Sequence, residues 1–556
     1  MAKVSQATFN LISQLEGNRL KPYLDTKGLA TVGIGVQVEN EAGNRGEYLV
    51  ILGIAEKIGS AYRVKTLYNT DGTKNETATN ALETVYNTIN SALQTNTSTA
   101  SMQTAIDNAL SSLQSNSVLN NYKSSFHTTC EITNDESKVL FEAVAKLHVD
   151  TTDNFLNTIT GSEKLVISQN SNEYAALFSL AYNNANLLLG DGLKHSMQYG
   201  NRAEAWFQIR YQSNADSVQA KRRYAESEVF GLYANPNNPT EKELKDFIRM
   251  YRLHKSTIDA YEATYSSRIG DANADLEKAG FSQRVNTLAV EVNQAKQRLA
   301  SLFGEGVTID GDVIVGVDTV NDDSADRGAA QINDTLQGTS KNDYLFGERG
   351  DDILIGNGGG DYMEGGEGFD TYYTNDKDTI YDSDGKGEVY LNDTLLVGGL
   401  FDESSGFYVS EDKSIEYQLV GNTLKVKNLV DGSELTVEGY IQKEQSLGIN
   451  LANSLGKEVA IVIDTTGSMR SSIDTAKQQA AIIAGNIFKS NSLDGDGVFS
   501  KVSIVTFSDD NIKTIGTYYN QSSFQAGINK VNIEGGGYEY HCRALMEGMS
   551  NEIHTY

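Results

Sequence analysis

A glycine-rich repeat with a period of nine residues constrains the fold of this chain more than any other sequence feature. Four units follow one another without a gap, at 338–346, 347–355, 356–364 and 365–373. Each unit begins with glycine, has aspartate at its sixth position and has a large apolar residue at its eighth position. A period of nine with one apolar position is typical of a parallel β-roll, in which glycines permit the tight turns between short strands. The sequence therefore predicts a parallel β-roll.

The aspartates and turn carbonyls of such a roll supply hard oxygen ligands of the kind that Ca²⁺ requires. The block resembles the RTX family of calcium-binding repeats. The resemblance implies two or three structural Ca²⁺ ions in the turns of units two to four, because Ser340 and Lys341 make the first unit degenerate. The residues expected at these sites are Asp343, Gly347, Gly350, Asp352, Gly356, Gly359, Asp361, Gly365, Gly366, Gly368 and Asp370. Without Ca²⁺ the carboxylates repel, so we expect folding to depend on millimolar extracellular Ca²⁺.

Acidic residues are concentrated around the repeats. Residues 305–412 contain 26 Asp and Glu against 5 Lys and Arg, which gives −21 of the total net charge of −28. Residues 1–235 contain 19 basic and 23 acidic residues, a net charge of −4. The acidic block attracts cations and repels nucleic acid and anionic membranes, which argues against a nucleic-acid partner.

Two further patterns concern export. No apolar run approaches the ~18 residues of a membrane span. The first 20 residues include Lys3, Gln6, Asn10, Gln14 and Glu16, and therefore lack the apolar core of a signal peptide. Proteins with RTX repeats are typically secreted by bacteria without an N-terminal signal, so we expect this route of secretion.

The second informative segment is 16–35. Glu16 closes a predicted helix, Asp25 follows the first strand of a predicted hairpin, and Thr31 lies on its returning strand. Two carboxylates that flank a cleft are what glycoside hydrolysis requires. Glu16, beside apolar residues of its helix, is expected to be the general acid, whereas Asp25 stays ionised and holds a water with Thr31. A carboxyl separation of ~6.5–9.5 Å would predict inversion and ~5 Å would predict retention.

This segment resembles the active-site stretch of phage-type lysozymes, glycoside hydrolase family 24. The family pattern of Glu-Gly, Leu-Lys-x-Tyr-x-Asp-Thr-x-Gly and Thr-x-Gly-Ile-Gly is matched at 16–17, 20–28 and 31–35. The resemblance resumes at 132–136 and ends in an Arg-rich stretch at 221–226. It implies a muramidase that cleaves the β-1,4 bond between N-acetylmuramic acid and N-acetylglucosamine. The family's catalytic residues fall on Glu16, Asp25 and Thr31.

Two features depart from the family pattern. Val36 stands where the family often has His, at a position outside the three catalytic residues. Residues at about 60–130 form a long insertion, rich in Asn, Thr, Ser and Ala, with helical spacing of its apolar residues. The insertion could shield the cleft, bind an inhibitor or widen the fold, and its polar helical pattern favours the last role.

A third motif lies near the C-terminal end. An apolar strand within 458–469 delivers Asp464, Thr466 and Ser468 to one loop, before a predicted helix. The string resembles the metal site of the von Willebrand factor A domain, and oxygen ligands of this kind suit Mg²⁺. Tyr538 follows three glycines where that family often has a ligand, and the sequence ends at Tyr556. We therefore predict an incomplete α/β, Rossmann-like unit with an uncertain metal site.

These patterns predict a multidomain α+β protein with a mostly helical, two-lobed N-terminal domain. The predicted parts are a lysozyme-like domain over 1–235, a helical spacer over 236–303, a parallel β-roll over 304–385, a β-rich segment over 386–452 and a partial von Willebrand factor A-like unit over 457–556. Cys130 and Cys542 fall in different parts, so a disulfide between them is not expected.

The function expected of this combination is peptidoglycan hydrolysis by a secreted bacterial muramidase that needs no cofactor for catalysis. An antibacterial effector that acts in the periplasm or on the wall of target bacteria fits this interpretation, and its producer would need an immunity protein. The alternative is a calcium-dependent adhesin or surface-binding protein whose lysozyme-like domain is only a scaffold.

Overall fold

The computed structural model describes residues 3–213, 217–303, 310–317, 333–489, 498–508 and 511–534. Helices dominate the N-terminal half and strands the C-terminal half, which is the expected pattern of a multidomain α+β protein. Contacts divide the chain into two units. Unit one comprises 1–239 and 255–290, and unit two comprises 240–254 and 291–556. Within the described ranges, no helix is long and apolar enough to cross a membrane.

Unit one is built mainly from helices. Its first ten are α1 (Gln6–Glu16), α2 (Ala42–Ile51), α3 (Glu76–Thr95), α4 (Thr99–Ser115), α5 (Asn134–Val144), α6 (Lys146–Asn157), α7 (Asn172–Leu188), α8 (Asp191–Gln198), α9 (Arg202–Phe207) and α10 (Ser217–Phe230). Two antiparallel sheets lie between these helices. They consist of β1 (Arg19–Leu24), β2 (Ala30–Gly33) and β3 (Val36–Gln37), and of β4 (Ala55–Ile58) and β5 (Ala61–Val64).

The first helix ends where the candidate active site begins. Ser5 caps α1 by accepting a hydrogen bond from the Thr8 amide at 3.1 Å. Gly17 stops the helix with a φ of +83°, a conformation that favours glycine. The chain enters β1 two residues later, so Glu16 lies at the junction between helix and sheet.

Two apolar cores stabilise unit one. The first joins the small sheet and α2 to the helical hairpin of α3 and α4. The hairpin contributes one buried apolar row from each helix, including Leu82, Ile89 and Ile106. The second core joins α1 to α5 and α7 through packed aromatic rings, among them Phe141 and Phe178. The inserted hairpin is therefore part of a core rather than a loosely attached surface segment.

Three helices occupy the segment predicted to be a spacer. They are α11 (Glu241–Tyr265), α12 (Ile269–Lys278) and α13 (Leu288–Ala300). A capping box starts α11: the Thr240 hydroxyl accepts from the Glu243 amide at 3.2 Å, and the Glu243 carboxylate accepts from the Thr240 amide at 2.9 Å. Residues 240–254 belong to unit two and 255–290 to unit one, so these helices contribute to both units.

Strands build most of unit two. They are β6 (Val313–Val315), β7 (Thr335–Gln337), β8 (Tyr344–Arg349), β9 (Ile353–Ile355), β10 (Tyr362–Glu367), β11 (Asp370–Thr374), β12 (Asp378–Tyr381), β13 (Gly387–Leu391), β14 (Thr394–Leu395), β15 (Gly398–Asp402), β16 (Phe407–Val409), β17 (Ile415–Val420), β18 (Thr423–Asn428), β19 (Glu434–Glu438) and β20 (Asn450–Ala452). Residues 304–309 and 318–332, predicted to belong to the roll, lie outside the described residues.

The repeats form two stacks of parallel strands. Leu345 of β8 pairs with Met363 of β10, and Leu354 of β9 pairs with Tyr372 of β11. Two nonapeptides therefore complete one turn of the roll, as the period predicts. These four apolar side chains are fully buried between the stacks. One stack continues through β12 and β19 into the antiparallel strands β18, β17, β16 and β15, and ends at β20.

The last described segment alternates strands and helices. Its elements are β21 (Ser454–Asp464), α14 (Ile473–Lys489), β22 (Val498–Ser508), β23 (Asn511–Tyr518) and α15 (Gln521–Asn529). β21 and β22 are parallel and joined through α14, whereas β23 adds antiparallel to β22. The predicted loop at 535–538 and Cys542 lie outside the described residues.

A buried lysine attaches the start of α11 to one face of the roll. Lys245 Nζ lies 3.0 Å from Glu348 Oε1 and 3.5 Å from Glu364 Oε1, and 4.3 Å from the centroid of the Phe346 ring. The Lys245 side chain is only 9% exposed. Since Glu348 and Glu364 lie on neighbouring strands, one ammonium group neutralises two successive turns of the roll.

Removing this ammonium group should destabilise unit two. Loss of one partner from a buried ion pair costs about 3–5 kcal/mol. We expect Lys245→Met to lower the free energy of unfolding by about 3 kcal/mol in chemical denaturation followed by circular dichroism. Lys427→Met is the matched control, because Lys427 pairs with Glu434 while 51% exposed, and exposed pairs contribute at most about 1 kcal/mol. Equal effects of the two substitutions would contradict this role of Lys245.

Candidate active site and calcium-binding sites

Glu16 forms an ion pair with an arginine that lies 206 residues later in the chain. Its Oε1 accepts a hydrogen bond from Arg222 Nη1 of α10, and its side chain is 32% exposed. The sequence places Glu16 beside the apolar residues Phe9 and Ile12, but both pack into the core and leave the carboxylate facing a guanidinium. The surroundings of Glu16 are therefore charged, which corrects the apolar environment expected from the helical pattern.

Arg222 belongs to a buried network of charged groups. Its Nε donates to Glu226 Oε1 at 2.9 Å, and its Nη2 donates to Ser179 Oγ at 2.9 Å. Glu226 is fully buried and also pairs with Arg223. Burial opposes the charge on Arg222, but Glu226 and Glu16 beside it raise the pKa of its guanidinium. Arg222 is not among the site residues predicted from the sequence, although the Arg-rich stretch at 221–226 contains it.

Asp25 lies in the turn between β1 and β2. Its Oδ1 accepts from the Lys27 amide at 2.8 Å and from the Leu29 amide at 2.9 Å. The Asp25 amide in turn donates to the Leu29 carbonyl at 2.9 Å. One carboxylate oxygen therefore holds the turn together, which orients the half-buried side chain.

Thr31 is connected to Asp25 through Leu29. Thr31 Oγ1 donates to the Leu29 carbonyl at 3.0 Å, while the Leu29 amide donates to Asp25. Thr31 is 2% exposed and pairs with Tyr23 across the sheet. The hairpin thus links Asp25 and Thr31 through Leu29, and the donated proton leaves the lone pairs of Thr31 Oγ1 as acceptors.

Tyr182 of α7 lies near the same carboxylate as Arg222. Its hydroxyl donates to the Ile34 carbonyl at 3.3 Å, on the turn that follows β2. Burial, reinforced by the negative charge of Glu16, raises the pKa of Tyr182 to about 12. Tyr182 therefore stays neutral and acts as a hydrogen-bond donor to the loop rather than as a source of charge.

A polar contact joins the loop after Glu16 to the start of α5. Asn18 Oδ1 accepts from Ser137 Oγ at 2.7 Å, and Asn18 Nδ2 donates to Asn134 Oδ1 at 3.1 Å. A Cβ at Gly33 would lie 2.8 Å from Ser137 Oγ, and the φ of Gly33 is +64°. Only glycine allows β2 and α5 to approach this closely.

In the roll, each repeat aspartate uses one oxygen to bind the backbone. Asp361 Oδ1 accepts from the Asp343 amide at 2.8 Å, and Asp370 Oδ1 accepts from the Asp352 amide at 2.9 Å. Asp352 Oδ1 accepts in the same way from the Asp334 amide at 2.6 Å. These bonds repeat along each side of the roll, and each joins an aspartate to the backbone of the preceding turn.

The second oxygen of three repeat aspartates has no partner among the residues that the structure describes. Oδ2 of Asp352, Asp361 and Asp370 is buried without a hydrogen bond within the described part of the chain. Asp343 differs, since its Oδ2 accepts from the Thr339 amide at 2.6 Å and from Thr339 Oγ1 at 2.9 Å. Buried carboxylate oxygens without a donor fit a hard cation, so units two to four suit Ca²⁺ better than the degenerate first unit does.

The glycines keep space around these oxygens. A Cβ at Gly347, Gly356 or Gly365 would lie 2.5, 2.5 or 2.2 Å from an aspartate Oδ2. Four further glycines have a positive φ, namely Gly350, Gly359, Gly366 and Gly368. At Gly366 of β10 a Cβ would lie 1.9 Å from the carbonyl oxygen of Glu348, its partner on β8, so glycine lets these paired strands approach backbone to backbone.

The C-terminal motif also converges on one loop. Asp464 Oδ1 accepts from the Thr466 amide at 2.8 Å, and Thr466 Oγ1 lies 2.8 Å from Ser468 Oγ. Across the residues that the structure describes, no cluster of three or more His, Cys, Asp or Glu side chains could hold a metal ion. A cation here or in the roll would therefore depend on single carboxylates together with hydroxyl or backbone oxygens.

Comparison with known proteins identifies two segments of the chain. Residues 337–372 match the RTX calcium-binding nonapeptide repeat in four copies, and residues 458–553 match the von Willebrand factor A domain. The chain thus contains RTX repeats, which support structural Ca²⁺, and a von Willebrand factor A-like domain. No curated protein matches its sequence. Among solved structures, a mutant of P22 lysozyme is similar over 41% of this chain and 99% of its own length, at 15% identity and a TM-score of 0.22.

Calcium binding by the roll should strengthen with pH. Burial raises the pKa of Asp352 and Asp361 to about 7 and that of Asp370 to about 8, and neighbouring carboxylates add to the effect. Protonation of these groups stabilises the calcium-free fold below the unfolded pKa near 3.9, and this contribution is lost as the pH rises through 7 to 8. Ca²⁺ needs the ionised forms, so its binding releases protons in the same window.

We therefore expect the apparent Kd for Ca²⁺ to be at least about tenfold lower at pH 8 than at pH 6. Isothermal titration calorimetry in buffers of different ionisation enthalpy measures both the affinity and the proton release. EGTA should also lower the melting temperature of unit two. A pH-independent Kd without proton release would show that these carboxyls do not bind the ion.

Proposed function

We propose that the chain is a peptidoglycan hydrolase of the muramidase class, which cleaves the bond between N-acetylmuramic acid and N-acetylglucosamine. The observation that carries the proposal is the placement of the three motif residues around one small sheet. Glu16 precedes β1, Asp25 follows it, and Thr31 lies on the paired strand β2. Two carboxylates and a hydroxyl around one hairpin are the groups that hydrolysis of a glycosidic bond requires.

In the proposed reaction, Glu16 is the general acid. It transfers its proton to the glycosidic oxygen as the bond from that oxygen to the anomeric carbon breaks. Arg222 positions the Glu16 carboxyl. Because Glu226 also pairs with Arg222, the guanidinium keeps a counter-ion when Glu16 carries a proton.

Asp25 and Thr31 activate the attacking water. The Asp25 oxygen that does not hold the turn accepts a proton from the water, and Thr31 Oγ1 accepts its second hydrogen bond. The hydroxide oxygen then forms the new bond to the anomeric carbon. The fixed turn around Leu29 keeps both acceptors in place before substrate arrives, which reduces the reorganisation that the reaction requires.

The roll supplies stability outside the cell in this proposal. Asp352, Asp361 and Asp370, with carbonyls of the intervening turns, bind structural Ca²⁺, and the roll folds after secretion into calcium-rich surroundings. The protein then acts as an antibacterial effector on the wall of target bacteria, and its producer carries an immunity protein. The loop with Asp464, Thr466 and Ser468 binds Mg²⁺ and presents it to a partner.

A second candidate function is calcium-dependent attachment to a cell surface without catalysis. The matches to RTX repeats and to a von Willebrand factor A domain favour it, because they cover the part of the chain that does not contain Glu16. Under this alternative, the protein binds peptidoglycan or cells in the presence of Ca²⁺ and releases no glycan fragments.

Substitution of the proposed acid distinguishes the two functions. Glu16→Gln cannot donate the proton, so we expect turbidity loss and release of reducing ends from purified peptidoglycan to fall by about 10²–10⁴-fold. Glu41→Gln is the matched control, since Glu41 is exposed and its side chain makes no capping bond to α2. Equal hydrolysis by wild type and Glu16→Gln would contradict the catalytic role. Binding without hydrolysis by wild type would favour the surface-binding function.

A further inference from the structure

The inserted hairpin of α3 and α4 lies against β1, the strand that leads to Asp25. In the small sheet the strand order is β1-β2-β3, so β1 is an edge strand. The backbone groups on the outer side of an edge strand have no partner in the sheet and must be satisfied in another way. In this protein the inserted helix α4 provides two of the partners.

Two side chains of α4 bind the outer edge of β1 directly. Thr99 Oγ1 accepts from the Leu24 amide at 3.0 Å, and Gln103 Nε2 donates to the Pro22 carbonyl at 2.7 Å. Thr99 and Gln103 are four residues apart and therefore share one face of the helix. Both are half-buried, which shields these hydrogen bonds from water.

The same helix face continues onto the segment that follows the insertion. Asp107, four residues after Gln103, accepts from the Cys130 amide at 2.6 Å. The nearby Ile132 amide donates to the Leu20 carbonyl at 3.0 Å. The Leu20 carbonyl, the Pro22 carbonyl and the Leu24 amide are thus bonded, either by α4 or by the chain segment that α4 holds.

Apolar packing reinforces this contact. Leu20 and Leu24 of β1 pack against the core cluster that contains Met102 and Ile106 of α4. The hairpin therefore fixes β1 through both its side chains and its backbone. A solvated linker would contact neither the side chains nor the backbone of β1.

The contact lies one residue from the proposed water-activating group. Thr99 holds the amide of Leu24, and Asp25 follows directly with its turn bonds to Lys27 and Leu29. On the basis of the proposed function, we infer that α4 is a positioning element of the active site. Thr99 and Gln103 are its positioning residues: they fix the end of β1, and with it the direction in which the Asp25 carboxylate points.

Two substitutions of Thr99 test this inference. Thr99→Val removes the hydroxyl and keeps the shape, whereas Thr99→Ser keeps the hydroxyl. We expect Thr99→Val to lower kcat on soluble glycan fragments about tenfold with KM within twofold of wild type, because misplacement affects the reacting groups more than binding. Thr99→Ser should restore kcat to within twofold. Gln103→Met should act in the same direction as Thr99→Val.

Hydrogen exchange provides a readout that does not depend on activity. Loss of one hydrogen bond should speed exchange in the peptide that covers 19–31 by about fivefold in Thr99→Val, and exchange in Thr99→Ser should match wild type. Ser112→Ala, near the C-terminal end of α4, is the control for a change elsewhere in this helix, since the Ser112 hydroxyl donates to the Ala109 carbonyl of the same helix. Its exchange at 19–31 and its kcat should be unchanged.

The outcomes separate this inference from the proposed function. Unchanged exchange at 19–31 and unchanged kcat in Thr99→Val would overturn the positioning role, even if wild type hydrolyses glycan. A parallel loss of kcat in Thr99→Val and Ser112→Ala would also overturn it, because the effect would then be one of stability. If wild type proves inactive while Thr99→Val exchanges faster at 19–31, the proposed function fails, but the contact of α4 with the Asp25 turn stands.

Discussion

A buried carboxylate needs a positive partner, and this requirement organises both units of the protein. Removing an ionised group from water costs several kcal/mol unless a nearby charge compensates for it. In unit one, Arg222 and Arg223 surround the fully buried Glu226. In unit two, Lys245 lies between Glu348 and Glu364. The repeat aspartates of the roll differ, since no basic side chain of the described residues pairs with them, and a divalent cation remains as the fitting partner.

The same network gives the proposed active site its rigidity. Glu16, Arg222, Glu226 and Arg223 form one network of ion pairs, in which the side chain of Glu16 is the most exposed. Its partner Arg222 is also bound by Glu226 and Ser179. The network contains two glutamates and two arginines, so each guanidinium has a carboxylate partner. Asp25 and Thr31 are held by backbone bonds to Leu29 instead of by charge, so they are positioned independently of Glu16, the proposed acid.

Much of the site follows from local sequence, because its groups are close in the chain. Asp25 and Thr31 belong to one hairpin, and glycines with positive φ lie in its turns, so the motif alone predicts that hairpin. The roll is predictable for a similar reason. Each turn repeats the last, and the buried row at Leu345, Leu354, Met363 and Tyr372 can be read from a period of nine.

Contacts between distant segments were not predictable in this way. The pairing of Glu16 with Arg222 spans 206 residues, and the bond from Thr99 to Leu24 spans 75. A helical pattern placed Glu16 beside Phe9 and Ile12, but helical periodicity gives only the face of a side chain and not what that face meets. The sequence predicts an insertion of polar helices that widens the fold, but not that side chains of α4 bind the edge of β1 while its apolar rows join the core.

The sequence by itself determined the repeating roll, the hairpin with Asp25 and Thr31, and the strand and loop that carry Asp464, since short-range spacing and turn chemistry decide each of them. Only the tertiary structure decided which charges neutralise one another, which aspartate oxygens lack a protein donor, and what covers the edge of β1. The physical reason is that buried charges and unpaired backbone groups must find partners wherever the fold brings them, and those partners come from segments that no local pattern connects.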